Sequence, residues 1–139
     1  MPLNTAQRLS TTAIFISLSL STLAMGQQRF SQLVGAISAK PVESAKPIPV
    51  PYITWGGDVA TFHANGGLAT KTGSIYEKEG LKLKLTAGDD FIGQVKDYMG
   101  GKSPFLRGTF RMLGQASEVI GKDPRTKPVV IMQLSWSAG

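Results

Sequence analysis

The sequence predicts an α/β fold built around a mainly parallel sheet. From Ile53 to Gly139, short strand-like runs alternate with helix-like runs, and most of the helical runs end at a glycine. The run 129–136 (VVIMQLSW) is almost wholly apolar, as in a strand that is covered on both faces. Since no helix or strand signal follows this run, we expect an incomplete sheet, part of a longer protein or completed by a partner.

Composition favours a folded chain over a disordered one, with 42% apolar and 17% charged residues. The net charge is +6, but the basic residues are scattered along the chain. Nucleic-acid binders concentrate such residues on one surface together with aromatic side chains, so we expect no nucleic-acid partner. The absence of cysteine excludes disulfides and thiolate metal sites.

Residues 1–26 have the layout of a secretory signal peptide. A short positively charged start precedes the uncharged, apolar run 9–25, and Ala24 and Gly26 supply the small residues typical of a cleavage site. The run is shorter than the ~20 residues of a typical membrane-spanning helix. A tilted, retained anchor is the alternative. We therefore expect export, with the body periplasmic or anchored facing the periplasm.

Residues 27–52 predict a proline-rich linker. Its four prolines, at 41, 47, 49 and 51, lack backbone N–H donors and favour an extended polyproline conformation. We expect a semi-rigid spacer ahead of the folded body. A polyproline ligand for another protein is the alternative interpretation.

Four strands are expected in the body. The first ends in the glycine turn of 53–58 (ITWGGD), and the second, 81–85 (LKLKL), alternates apolar and charged residues. A short third strand falls within 103–108, and the fourth is the run 129–136.

Four helices alternate with these strands. We expect Asp58 to cap a helix over 59–65, and Ser74 with Glu77 to form a capping box at the start of a second helix. The third helix spans 91–99 and has one apolar face. The fourth follows Thr109 as its cap, with these residues facing inward: Phe110, Leu113, Ala116 and Ile120.

The candidate site residues follow the predicted strands, whose carboxyl ends share one edge of a parallel sheet. Three of these loops lead into helix N-termini, whose free amides favour anions. Arg107, Thr109 and glycine amides suit a carboxylate, sulfonate, nitrate or phosphate oxygen, and a tryptophan supplies an apolar wall. Alternatively, Asp58 receives a ligand ammonium or amide group, or these residues only form turns and caps. The candidate ligand-binding residues are Trp55, Gly57, Asp58, Arg107, Thr109 and Trp136.

The sequence gives little support for catalysis. His63 is the only histidine and lies within a predicted helix without metal-ligand spacing. The adjacent pair Asp89 and Asp90 falls in a strand-to-helix turn, where carboxylates usually cap. No nucleophile elbow, phosphate loop or dinucleotide fingerprint occurs. We therefore expect a protein that is not an enzyme and that uses no cofactor or metal.

Residues 53–139 resemble the start of the solute-binding proteins of ABC importers, in the nitrate, sulfonate and taurine group. The resemblance is carried by 53–58 (ITWGGD), 80–84 (GLKLK), 103–109 (SPFLRGT) and 123–130 (DPRTKPVV). It implies a periplasmic-binding-protein-like fold of two α/β lobes, joined by a hinge, with the ligand held between them. The chain would then contain part of the first lobe.

This resemblance implies an exported, substrate-binding component that captures a small, anionic solute. Its partners would be that solute and an ABC permease in the inner membrane. Two alternatives remain open. One is an enzyme on the same scaffold, resembling proteins of thiamin-pyrimidine synthesis. The other is a membrane-anchored sensor or interaction module, held by the proline-rich segment.

Overall fold

A computed structural model describes residues 28–44 and 46–134, so the predicted signal peptide and Trp136 lie outside the described residues. The described part is mixed α/β, with five helices and two parallel strands, as the coarse class predicted. No described helix is long and apolar enough to cross a membrane. The elements are α1 (Phe30–Val34), β1 (Ile48–Tyr52), α2 (Val59–Asn65), α3 (Ile75–Lys78), β2 (Leu83–Ala87), α4 (Phe91–Met99) and α5 (Phe110–Ile120).

Strand β2 is the centre of the sheet. It pairs in parallel with β1, with Ile48 opposite Leu83 and Tyr52 opposite Ala87. Its other edge meets residues 68–70 in antiparallel orientation, where the Leu85 N–H donates to the Leu68 carbonyl over 2.7 Å. Both edges of β2 therefore have backbone partners.

Strand β1 falls inside the segment that the sequence predicted to be a linker, and for 48–52 that prediction was wrong. The Ile48 N–H donates to the Lys82 carbonyl over 2.8 Å, and the Tyr52 carbonyl accepts from the Gly88 N–H over 2.7 Å. Because bonding direction alternates along a strand, Pro49 directs its backbone to the outer edge, as does the proline two positions on. A missing N–H there breaks no ladder bond, so prolines at every second position suit an edge strand.

The predicted third strand is also wrong: residues 103–108 contain no regular strand. They nonetheless run beside the outer edge of β1. The Ser103 hydroxyl lies 3.5 Å from the Pro49 carbonyl, and Arg107 bonds the carboxylate of Asp58, which itself accepts the Ile53 N–H. A regular strand pairing cannot form here, because it needs backbone N–H donors from both strands and the prolines of β1 offer none at this edge.

The predicted fourth strand is not formed over 129–134, where the described chain has no regular structure. Its apolar side chains are exposed, Val129 to 81% and Ile131 to 74%. A run of this composition is stable as a strand only when neighbouring strands and helices cover it.

Four of the five described helices follow the sequence prediction closely, whereas α1 lies in the predicted linker and was not predicted. Helices α2 and α4 have the predicted bounds, and α5 begins directly after Thr109, whose hydroxyl accepts the Met112 N–H over 3.3 Å. Ser74 caps α3 as predicted, accepting the Glu77 N–H. The capping box is incomplete, because the Glu77 carboxylate accepts from the Gly73 N–H and not from Ser74.

The main core lies between α1, α4 and α5. Phe30 of α1 contacts Phe91 of α4 with ring centroids 6.0 Å apart, so the folded body includes residues ahead of β1. Ala116 and Ile120 are buried as predicted and Leu113 packs against them, but Phe110 is 74% exposed. The inward prediction for Phe110 was wrong: its side chain, in the first turn of α5, is left in solvent. The buried residues of this core are Val34, Phe91, Val95, Met99, Ala116, Val119 and Ile120.

Candidate ligand-binding site

Asp58 and Arg107 join the connection after β1 to the segment before α5. Asp58 is 1% exposed, and its Oδ1 accepts from Arg107 Nη2 over 2.9 Å and from Nε over 3.2 Å. Its Oδ2 accepts the Ile53 N–H over 2.8 Å. Asp58 precedes α2 but makes no capping bond, so the cap prediction was wrong: its carboxylate turns to the guanidinium instead.

The backbone of Arg107 is held by the side chain of Gln94 on α4. Gln94 Oε1 accepts the Arg107 N–H, and Nε2 donates to the Arg107 carbonyl, each over 2.9 Å. The same Nε2 donates to the carbonyl of Gly88, the residue directly after β2. The Gln94 side chain thus makes the two backbone hydrogen bonds with Arg107 that a neighbouring strand would otherwise make. Sequence reasoning missed it, although an amide next to Val95 on the apolar face of α4 was the available signal.

Asp89 makes a second tie between loops. Its Oδ1 accepts the Thr54 N–H over 2.9 Å, which links the loop after β2 to the loop after β1. This hydrogen bond lowers the pKa of the Asp89 carboxyl. Asp90 caps α4 as expected, accepting the Gly93 N–H over 3.0 Å. Of the adjacent pair, one carboxylate therefore caps a helix and the other joins two loops.

In the sequence, Trp55 lies between Thr54, which is bound to Asp89, and Asp58, which is bound to Arg107. Its side chain is 49% exposed. Its indole packs on Gly57, where an added Cβ would overlap Cζ2 and Cε2 of the ring. A Cβ at the neighbouring Gly56 would meet nothing within 4 Å. Gly57 is therefore needed for close approach of the indole and not for an unusual backbone conformation.

Of the predicted site residues, the fold brings together Trp55, Gly57, Asp58 and Arg107. Thr109 lies two positions beyond Arg107, but its hydroxyl is engaged as the cap of α5. Trp136 lies outside the described residues. His63, which the sequence excluded from the site, is exposed in the last turn of α2.

The charge of these loops is opposite in sign to that of the whole chain. The loops 53–58, 88–90 and 105–109 contain three carboxylates, those of Asp58, Asp89 and Asp90, and one guanidinium, that of Arg107. Since one carboxylate and the guanidinium neutralise each other, two negative charges remain. The full chain carries +6.

A cavity of about 220 Å³ lies beside these loops, between the sheet and α4. Its lining includes Pro51, Asp90, Gln94 and Phe105, so it shares Gln94 with the ties described above. A larger cavity of about 360 Å³ lies between α1 and the end of α5 and contains none of the predicted site residues. The described residues contain no group of three or more carboxylates and histidines placed to hold a metal ion.

Comparison of this chain with protein-family models, with curated proteins and with solved structures gave no match.

Proposed function

We propose that this chain captures a small solute, as the substrate-binding component of a bacterial ABC importer. Its body would form part of the first lobe of a periplasmic-binding-protein-like fold. One observation carries the proposal: the loops after β1 and β2 and the segment before α5 are tied together around Asp58 and Arg107. Ligands of parallel α/β sheets bind at this kind of edge, beyond the strand carboxyl ends.

Arg107 is the residue that would bind an anionic group of the solute. A guanidinium has five N–H donors, and two of these bond Asp58, so three remain for a carboxylate or sulfonate. Because Asp58 neutralises the charge of Arg107, affinity would come from hydrogen-bond geometry more than from net attraction. The half-exposed indole of Trp55 would form an apolar wall beside it.

Solute capture would be coupled to transport by closure of a second lobe over this edge, which presents the closed form to a permease in the inner membrane. The predicted export signal and the resemblance of 53–58 and 103–109 to this class of importer protein support the same function. The enzyme alternative gains no support from His63, which is exposed at the end of α2.

Thermal unfolding of the full chain with a panel of small solutes tests the proposal. The panel would contain ethanesulfonate, nitrate, glycine, ethanolamine and choline. We expect at least one of them to raise the melting temperature in a saturable way, since a ligand that binds only the folded state stabilises it. If none does so at millimolar concentration, the chain does not capture this class of solute and the proposal fails.

A further inference from the structure

We propose that the solute carries an ammonium group, which the indole of Trp55 and the carboxylate of Asp89 receive together. This inference rests on the proposed function and names the chemistry of its ligand. It departs from the expectation of a simple anion, and it uses Asp89, which was not among the predicted binding residues.

The first observation is the placement of the indole. Trp55 packs on Gly57 and is still 49% exposed at the edge where the loops meet. Tryptophan is the aromatic side chain that attracts cations most strongly, because the face of its ring carries negative potential. Because Gly57 has no side chain, the indole of Trp55 rests directly on the backbone.

The second observation is a carboxylate that is bound to the residue directly before Trp55. Asp89 is exposed, and its Oδ1 bonds the N–H of Thr54, the residue directly before Trp55. The hydrogen bond from the Thr54 N–H lowers the pKa of this carboxyl. The loop that carries the indole is therefore tied to an exposed negative charge.

The third observation is the local charge. The only guanidinium of these loops, that of Arg107, already bonds the buried Asp58, whereas Asp89 and Asp90 are exposed. The surplus of negative charge attracts a cation and repels a simple anion. A solute that also has an acidic group would still find the three remaining donors of Arg107.

Isothermal titration calorimetry of the full chain with matched solutes tests this inference. Choline carries a quaternary ammonium, ethanolamine a primary ammonium, and 3,3-dimethylbutan-1-ol is the uncharged isostere of choline. We expect one of the two cations to bind at least tenfold more tightly than the isostere. The preferred cation distinguishes a methylated head group from one that donates hydrogen bonds.

Two pairs of variants separate recognition from general effects. Trp55→Leu keeps an apolar side chain but removes the aromatic ring, and Phe110→Leu does the same at another exposed aromatic residue. Asp89→Asn removes the charge while keeping an acceptor for Thr54, and Glu79→Gln removes a charge at the exposed residue directly after α3. We expect Trp55→Leu and Asp89→Asn to weaken cation binding by about five- to thirtyfold, and the two controls to leave it unchanged.

The inference is overturned if neither cation binds better than the uncharged isostere, or if Trp55→Leu and Asp89→Asn bind the cation as the wild type does. Binding of ethanesulfonate or nitrate without binding of either cation would overturn the inference and leave the proposed function standing. If no solute of the panel binds, both fail.

Discussion

Arg107 closes a buried ion pair with Asp58, and the two residues are 49 positions apart in the chain. The pair fixes the distance between the loop after β1 and the segment before α5. Since Asp58 is almost fully buried, its charge depends on the guanidinium and on the Ile53 N–H for compensation. Removal of either partner is expected to cost far more than loss of an exposed pair.

Arg107→Met is therefore predicted to lower the free energy of unfolding by about 3–5 kcal/mol, because it leaves a buried carboxylate without its counter-ion. Urea unfolding followed by circular dichroism measures the change. Lys102→Met is the matched control, since Lys102 pairs with Asp97 over 3.2 Å while both side chains are mostly exposed. That substitution is expected to cost under about 1 kcal/mol. Equal losses in the two variants would contradict the buried-pair account.

Gln94→Leu is predicted to destabilise the protein by about 2–3 kcal/mol, since it removes the partner of the Arg107 N–H and of two carbonyls. Gln115→Leu makes the same chemical change on the exposed face of α5 and is expected to be nearly neutral. Chemical denaturation of both variants tests the comparison. A neutral Gln94→Leu would mean that the amide does not hold the segment before α5.

Gly57→Ala is predicted to displace the indole of Trp55, because the new methyl group would occupy the space of the ring. The tryptophan emission should shift to longer wavelength, and the near-ultraviolet circular dichroism should weaken. The stability cost should stay at or below about 1 kcal/mol, since an exposed ring can move aside. Gly56→Ala adds a methyl group in open space and should leave both spectra unchanged. The same spectra in both variants would show that the indole does not rest on Gly57.

Asp123 provides a pH-dependent prediction. Hydrogen bonds from Arg125 lower the pKa of the Asp123 carboxyl from 3.8 to about 2. A lowered folded-state pKa means that the stability from this pair is present above pH ~4 and is lost as the pH falls toward ~2. A carboxyl ¹³C titration of the folded protein should give a midpoint near 2 for Asp123. Arg125→Gln should raise that midpoint toward 3.8. Lys127→Gln removes a positive charge two residues beyond Arg125 and should change the midpoint little.

Local signals in the sequence predicted four of the five described helices; α1, within the predicted linker, was missed. Asp90, Thr109 and Ser74 each accept a backbone N–H of the first turn of their helix, as capping residues do. The apolar spacing of 91–99 matched the buried face of α4. These signals need only neighbours within four positions, so they can be read from the chain alone.

The prolines before Tyr52 show why the sheet was harder to predict. A proline at every second position is compatible with a polyproline spacer and with the outer edge of a strand, and composition does not separate the two. The segment becomes a strand because β2, more than thirty positions away in the chain, pairs with it. The backbone hydrogen bonds of Ile48, Val50 and Tyr52 go to β2.

The candidate site was predicted only in part, because some of its contacts join segments that are distant in the chain. Its residues were found because strand-end loops collect at one edge of a sheet. The sequence did not reveal that Asp58 would pair with Arg107 and leave its helix uncapped, or that Gln94 would replace a strand for Arg107. Each of these roles depends on a contact between distant segments.

A titration of the ¹⁵N-labelled full chain with choline, ethanolamine, glycine and ethanesulfonate, followed by two-dimensional NMR, tests the central claim most directly. If the strand-end loops capture a solute, saturable shifts will concentrate on the amides of 54–58, Asp89 and Arg107. If no amide shifts, or if the shifts concentrate on the cavity between α1 and α5, these loops are not the binding site and the proposed solute-capture role is wrong.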